Sequence, residues 1–107
     1  MGVKRFDVWL VDLEPVRGSE ISKTRPCVII SPDVTNRYLN TIIIAAMTTA
    51  AKTYPTRVNC IFKRKKGQVA LDQIRSIDKA RLIKKLGALD EVANKRICEV
   101  LIETFAY

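Results

Sequence analysis

The sequence predicts a small, mainly β domain closed by one C-terminal helix. Three observations predict it. Short runs rich in Val, Ile and Leu recur along the chain, each bounded by Pro, Gly, Asn or Asp. The last stretch instead places Ala93, Ile97, Val100, Leu101 and Thr104 along one side at helical spacing. The chain has 107 residues, the size of one domain, and no linker, repeat or low-complexity tract divides it. The expected unit is therefore a single domain over 1–107. Short, closely spaced strands of this kind suggest a strongly bent sheet or barrel plugged by a helix.

Residues Phe6–Leu13 are rich in Val, Trp and Leu and read as the first strand, with Asp7 at its mouth, Trp9 as a large packing residue and Glu14-Pro15 ending it. Gly18–Thr24 is a polar loop carrying both charge signs. Pro26–Ser31 is a short continuous apolar run typical of a buried strand, and a proline at its first position removes a ladder donor where it is least needed. Ser31-Pro32-Asp33 starts a short helical turn with Pro32 at its first position. Thr41–Thr49 is a β-branched strand, Ala50–Pro55 a connection, and Thr56–Lys63 an alternating strand. Arg64–Gly67 reads as a basic hairpin turn in which the glycine supplies the positive φ. Gln68–Ile77 is the next strand, Asp78–Arg81 a turn and Leu82–Leu86 a short strand, after which Asp90 caps the helix.

The composition is 48% hydrophobic and 28% charged, enough for a core and too apolar for disorder. Nineteen basic against 11 acidic residues give a net charge of +8, which favours a polyanionic partner. The start lacks the apolar core of a signal peptide, and no apolar run is long enough to span a bilayer as a helix. Cys27, Cys60 and Cys98 are odd in number and each lies in an apolar run, the pattern of reduced thiols in a cytoplasmic protein. There is no histidine. That removes the commonest general base and the commonest metal ligand together, and no cysteine pair has zinc-site spacing. No metal or cofactor is therefore expected. Chemistry must run on carboxylates, Arg, Lys, hydroxyls or groups of the substrate.

Four polar clusters stand out: Glu20–Arg25, Thr48-Thr49, the Lys63–Lys66 turn, and Gln73–Arg75. Each has a plain structural reading. The first is equally a solvated loop, the threonines equally a strand end, and the basic turn a charged tip that discourages edge pairing. Gln73 and Arg75 share a parity and so a face, equally a solvent-facing polar row. Taken together they suit cleavage of RNA by its own 2′-OH. That reaction needs a base, a cation for the charge developing at phosphorus, and a donor for the leaving 5′-oxygen. Glu20 is a carboxylate suited to the first role, Arg25 a planar, permanently charged fork suited to the second, and Thr48 a hydroxyl suited to the third.

The series Asp7-Val-Trp, Asp12-Leu-Glu-Pro15, Gly18-Ser-Glu20 and Thr24-Arg25-Pro26 leads into an apolar strand ending Ser31-Pro32. Then come Thr48-Thr49, Tyr54-Pro55, Leu71–Asp78, and Arg81-Leu82 before Gly87. In this order the pieces resemble the MazF/PemK-type toxin endoribonucleases, over nearly the whole chain. The resemblance implies a small SH3-like β-barrel of the CcdB/MazF kind with a C-terminal helix, paired as a homodimer. It implies metal-independent, sequence-specific cleavage of single-stranded RNA through a 2′,3′-cyclic phosphate, leaving a 5′-OH. It makes Arg25 and Thr48 the catalytic pair, with Glu20 as a carboxylate that some members use. It sets Ser19, Lys23, Thr24, Thr49, Gln73 and Arg75 along the RNA groove. A cognate antitoxin with an acidic, disordered tail would occupy that same groove, and no membrane is involved.

Two departures stand against the family pattern. Phe6 replaces the glycine of Gly-Asp-Val-Trp. Arg17 stands where some members place a histidine, which leaves Glu20, Thr48 acting through water, or Arg25 as the base. Two other classes compete. A gyrase-poisoning toxin of the same fold needs a tryptophan near an apolar C-terminal tip, whereas the only tryptophan here is Trp9. A non-catalytic RNA-binding barrel usually exposes aromatics for stacking, and aromatics are only 7% of this chain.

Overall fold

A computed structural model describes residues 2–15, 17–21 and 23–107. Six strands form one antiparallel sheet: β1 (Asp7–Asp12), β2 (Thr24–Ile29), β3 (Thr41–Thr48), β4 (Arg57–Phe62), β5 (Lys65–Asp78) and β6 (Leu82–Ala88). Their order across the sheet is β4-β5-β3-β2-β1-β6. A short helix, α1 (Asp33–Tyr38), links β2 to β3, and the long helix α2 (Glu91–Phe105) ends the chain.

Both faces of the sheet are covered, as the unbroken apolar run in β2 requires. Val8, Val28, Ala45, Met47, Val58 and Val69 form one cluster, with Ala93, Ile97 and Val100 of α2 packed among them. Their neighbours of opposite parity, Trp9, Val11, Cys27, Ile29, Ile44 and Ala46, form a second cluster on the other face. Asp90 caps α2 as expected, its carboxylate accepting from the Ala93 N–H at 2.9 Å. Leu101 is half-buried and Thr104 exposed, so the buried stripe of α2 is narrower than its spacing suggests.

The sheet curls without closing. β4 and β6 are its edges, so the expected barrel is a half-barrel. The two edges still approach: the Phe62 ring lies 3.2 Å from where a Cβ on Gly87 would stand. A Cβ at this position would require the ring to give way by a few tenths of an ångström.

Three local expectations are corrected. The hairpin between β4 and β5 turns at Lys63 and Arg64, with φ of 49° and 66°. The glycine does not supply the positive φ; Gly67 lies inside β5, which starts at Lys65 rather than Gln68. Pro32 is the N-cap of α1, one position before the helix starts. Asp7 is buried, accepting from the Lys4 N–H at 2.9 Å and facing Lys85 at 3.5 Å. Phe6 adopts φ 70°, a left-handed conformation that glycine takes freely, which explains why glycine suits this position in the pattern the sequence resembles.

Candidate active site

β2 and β3 run antiparallel with Cys27 opposite Ala46 and Ile29 opposite Ile44. Carried two residues further, that register sets Arg25 opposite Thr48. Alternation keeps Arg25 on the face of Cys27 and Ile29, and Thr48 on the face of Ile44 and Ala46. The pair is thus the polar end of an apolar double row. Both side chains are half-buried, and both line one recess of about 220 Å³ together with Thr49, Phe62, Lys65 and Lys66.

Two features of the backbone place Thr48. Pairing of β3 with β5 is irregular between Ala45 and Met47, where two steps on β3 span five on β5, from Ile74 to Val69. The extra residues lie on β5, so that strand bends while β3 keeps its alternation up to Thr48. Past the bend the Thr48 carbonyl lies 3.0 Å from where a Cβ on Gly67 would stand, so only glycine admits it without a shift. The Thr48 Oγ1 accepts from the Ala50 N–H at 3.1 Å. That bond uses a lone pair and leaves the hydroxyl hydrogen to donate into the recess.

A second recess of about 170 Å³, sharing no lining residue with the first, is lined by Glu20, Ile21, Gln73 and Arg75. Here Gln73 and Arg75 are not a solvent row. Gln73 Oε1 accepts from the Ile21 N–H at 2.7 Å, and Arg75 Nη1 donates to the Leu13 carbonyl at 3.1 Å. They tie the loop between β1 and β2 to β5. Within the loop Lys23 N–H donates to Glu14 Oε1 at 2.8 Å, and from the turn before β6 Arg81 donates to the carbonyls of Asp12 and Glu14. Glu20 accepts from the Arg17 N–H at 2.5 Å, closing a turn within the loop.

The structure therefore divides the expected site residues. Arg25, Thr48 and Thr49 share one recess; Glu20, Gln73 and Arg75 share the second. Ser19, Lys23 and Thr24 stand exposed on the loop and at the start of β2. Ser22, within the same loop, lies outside the described residues. Lys65 and Lys66, expected in a solvated basic turn, are exposed but lie in β5, and they also rim the Arg25–Thr48 recess. The hairpin turns two residues earlier than the glycine suggests, which pairs Lys65 with Phe62 and brings both lysines into the strand.

Buried Cys27 lies beneath the cations. Burial pushes its thiol up to about 12, and Arg75 and Arg25 offset this only in part. Asp72 anchors the bend in β5: it pairs with Arg57 at 2.7 and 3.2 Å and accepts from Thr56 at 3.1 Å. The Arg57 hydrogen bond holds its carboxyl below the usual range. Among the described residues no three His, Cys, Asp or Glu side chains come together as a metal site, and no helix is long and apolar enough to cross a membrane.

The sequence profile of the PemK-like, MazF-like toxins of type II toxin–antitoxin systems matches residues 4–105. The chain belongs to this family. It is 40% identical over 107 residues to Endoribonuclease EndoA of Bacillus subtilis (strain 168), an alignment that spans 94% of this chain and 92% of that protein. The fold matches the crystal structure of MazF from Deinococcus radiodurans with a TM-score of 0.87 at 21% identity, covering 100% of this chain and 99% of that one. A mycobacterial endoribonuclease in complex with its cognate antitoxin matches with a TM-score of 0.81 at 23% identity, each chain covered to 98%. The half-barrel with its C-terminal helix is thus the fold of this toxin family.

Proposed function

We propose that this toxin-family chain is a sequence-specific endoribonuclease acting on single-stranded RNA. The observation that carries the reading is that Arg25 of β2 and Thr48 of β3 line one recess, rimmed by Lys65 and Lys66. The 40% identity to EndoA, named an endoribonuclease, supports it.

The chemistry follows from the groups. The substrate's 2′-OH attacks the adjacent phosphorus, forming a 2′,3′-cyclic phosphate and expelling the 5′-oxygen. Arg25, a planar and permanently charged fork, binds the phosphoryl oxygens as charge builds on them. Thr48 donates its hydroxyl hydrogen to the leaving oxygen. Glu20, the carboxylate of the second recess, accepts the 2′ proton. Ser19, Lys23, Thr24, Thr49, Gln73 and Arg75 border the path of the RNA. The reaction needs no metal ion, because the nucleophile belongs to the substrate.

The remaining parts of the reading are a cognate antitoxin, supported by the mycobacterial relative's complex with its own and here taken to cover this groove, a homodimeric assembly, and a cytoplasmic setting. The net charge of +8 suits both an RNA and an acidic peptide.

The test is incubation of the protein with mixed-sequence single-stranded RNA in EDTA, with fragment ends mapped and Arg25→Ala run beside it. The expected result is discrete cuts with 5′-OH ends in the wild type and none in the mutant. Strong inhibition by the chelator would contradict metal-free cleavage. Absence of cuts by the folded wild type would overturn the nuclease reading and turn attention to gyrase.

A further inference from the structure

The largest cavity described lies beside the proposed catalytic recess, between the β4–β5 hairpin and the start of α2. Its volume is about 540 Å³, within the roughly 300–1,000 Å³ usual for small-molecule sites. Thr49, Lys66 and Gly67 line both spaces, so the two lie side by side. Ile61 and Val92 form its apolar walls although they are 63% and 79% exposed. The two ends differ in charge. Lys66 stands at the end shared with Arg25 and Thr48, whereas Asp90 lines only the far end. A nucleotide has the matching polarity, an anionic phosphate at one end and a base edge with N–H donors at the other.

A chain of amides fixes what the cavity presents. Gln68 is 7% exposed. Its Oε1 accepts from the Lys52 N–H at 3.1 Å, and its Nε2 donates to the Lys52 carbonyl at 2.9 Å. A backbone donor and acceptor on one residue leave that amide a single orientation. Its remaining Nε2 hydrogen goes to Asn59 Oδ1 at 2.9 Å. Asn59 is thereby held with its oxygen turned to Gln68, which leaves its NH₂ to donate to an occupant of the cavity. Asp90 spends one oxygen on the Ala93 N–H, and its carboxylate keeps further acceptor capacity.

We propose that this cavity is a base-binding subsite. It takes the nucleotide adjoining the cleaved phosphate, with the base against Ile61 and Val92. Asn59 and Asp90 read its edge, and Lys66 holds its phosphate. Asn59 is then a specificity-determining residue, and Gln68 a positioning residue acting through it. The proposal rests on the nuclease reading above.

The experiment cleaves a randomised RNA pool and scores base preference at each position around the cut. It uses the wild type, Asn59→Ala, Asn59→Asp and Val92→Trp, with the thermal midpoint of each recorded. Asn59→Ala is expected to flatten the preference at one position next to the cut. Asn59→Asp, which replaces the donor by an acceptor, shifts that same position toward bases presenting an N–H. Val92→Trp fills the cavity from an exposed position and leaves the core intact. It is expected to raise KM about ten-fold, the scale of one lost base contact, and to do so more than it lowers kcat. A wild type that cuts RNA, with the same preference at every position and the same KM in all three variants, would overturn the subsite alone. A wild type that cuts nothing would overturn the nuclease reading and the subsite with it.

Discussion

Arg25 and Thr48 are held differently from Glu20 and its loop. The pair stands on adjacent strands whose register is set by buried neighbours, Cys27 opposite Ala46 and Ile29 opposite Ile44. The loop before β2 has no such ladder. It hangs on separate long-range bonds, from Ile21 to Gln73 and from Arg75 to Leu13, and on its own internal turns. The difference teaches a division of labour. On the proposed mechanism, the groups that meet the phosphate sit on the rigid sheet, while the proposed base Glu20 and the loop side chains beside the RNA sit on a segment whose length and side chains can change without disturbing the sheet.

The sharpest way to break this contrast is Arg25→Ala. Loss of the phosphate fork should lower kcat/KM by ~10³-fold or more, with a thermal midpoint close to wild type. Normal cutting would remove Arg25 from the mechanism. Thr48→Val keeps the β-branched shape and removes only the hydroxyl. We expect a loss of ~10²-fold, the scale of one positioned acid, largest for substrates with a poor leaving group. An equal loss for all leaving groups would deny the hydroxyl its proton-donating role.

Glu20→Gln separates chemistry from support, because a glutamine oxygen still accepts the Arg17 N–H but takes up no proton. The expected result is a loss of ~10²-fold in kcat. Cutting at the wild-type rate would reduce Glu20 to a strut of the loop. Gln73→Ala should leave the Ile21 N–H unpaired and loosen the loop while the Arg25–Thr48 pair stays in register. We expect KM to rise about ten-fold, on the scale of one lost hydrogen bond, with a broadened cleavage pattern and less change in kcat. A fall in kcat alone would mean the two regions are not independent.

The smallest effect concerns the bend in β5. Asp72 has its pKa depressed by Arg57, so the pair stabilises the fold at neutral pH. That contribution is present above the ordinary carboxylate pKa and is lost as pH falls through the depressed value. Asp72→Asn should therefore cost roughly 1 kcal/mol near pH 7 and progressively less below pH ~4. Thermal midpoints measured across that range check it, and a penalty independent of pH would contradict it.

Strand positions were legible because apolar runs and turn residues are local signals, and so was the capping of α2 by Asp90. The pairing of Arg25 with Thr48 was legible only through the motif series, since no local rule states the register between β2 and β3. The β4–β5 turn was misread for a physical reason. Two-residue hairpin turns favour Asn-Gly, and here Lys63 and Arg64 take positive φ while the nearby glycine serves a close approach to Thr48. The holding roles of Gln73, Arg75 and Gln68 were invisible because each partner is distant or lies in a connection with no pattern. Gln73 reaches a residue 52 positions away, and Gln68 reaches Lys52 in the linker between β3 and β4.

The pairing of β1 with β6 bears on when a newly made molecule becomes active. Asp7 lies opposite Ala88, and Val8 and Val28 pack with Ile97 and Val100 of α2. Arg25 and Thr48 emerge from the ribosome well before β6, the outer neighbour of the strand beside β2. The cluster beneath β2 and β3 gains its cover only with α2. Contacts this distant in sequence form late. A nascent chain therefore carries both proposed catalytic groups before the scaffold that aligns them is in place.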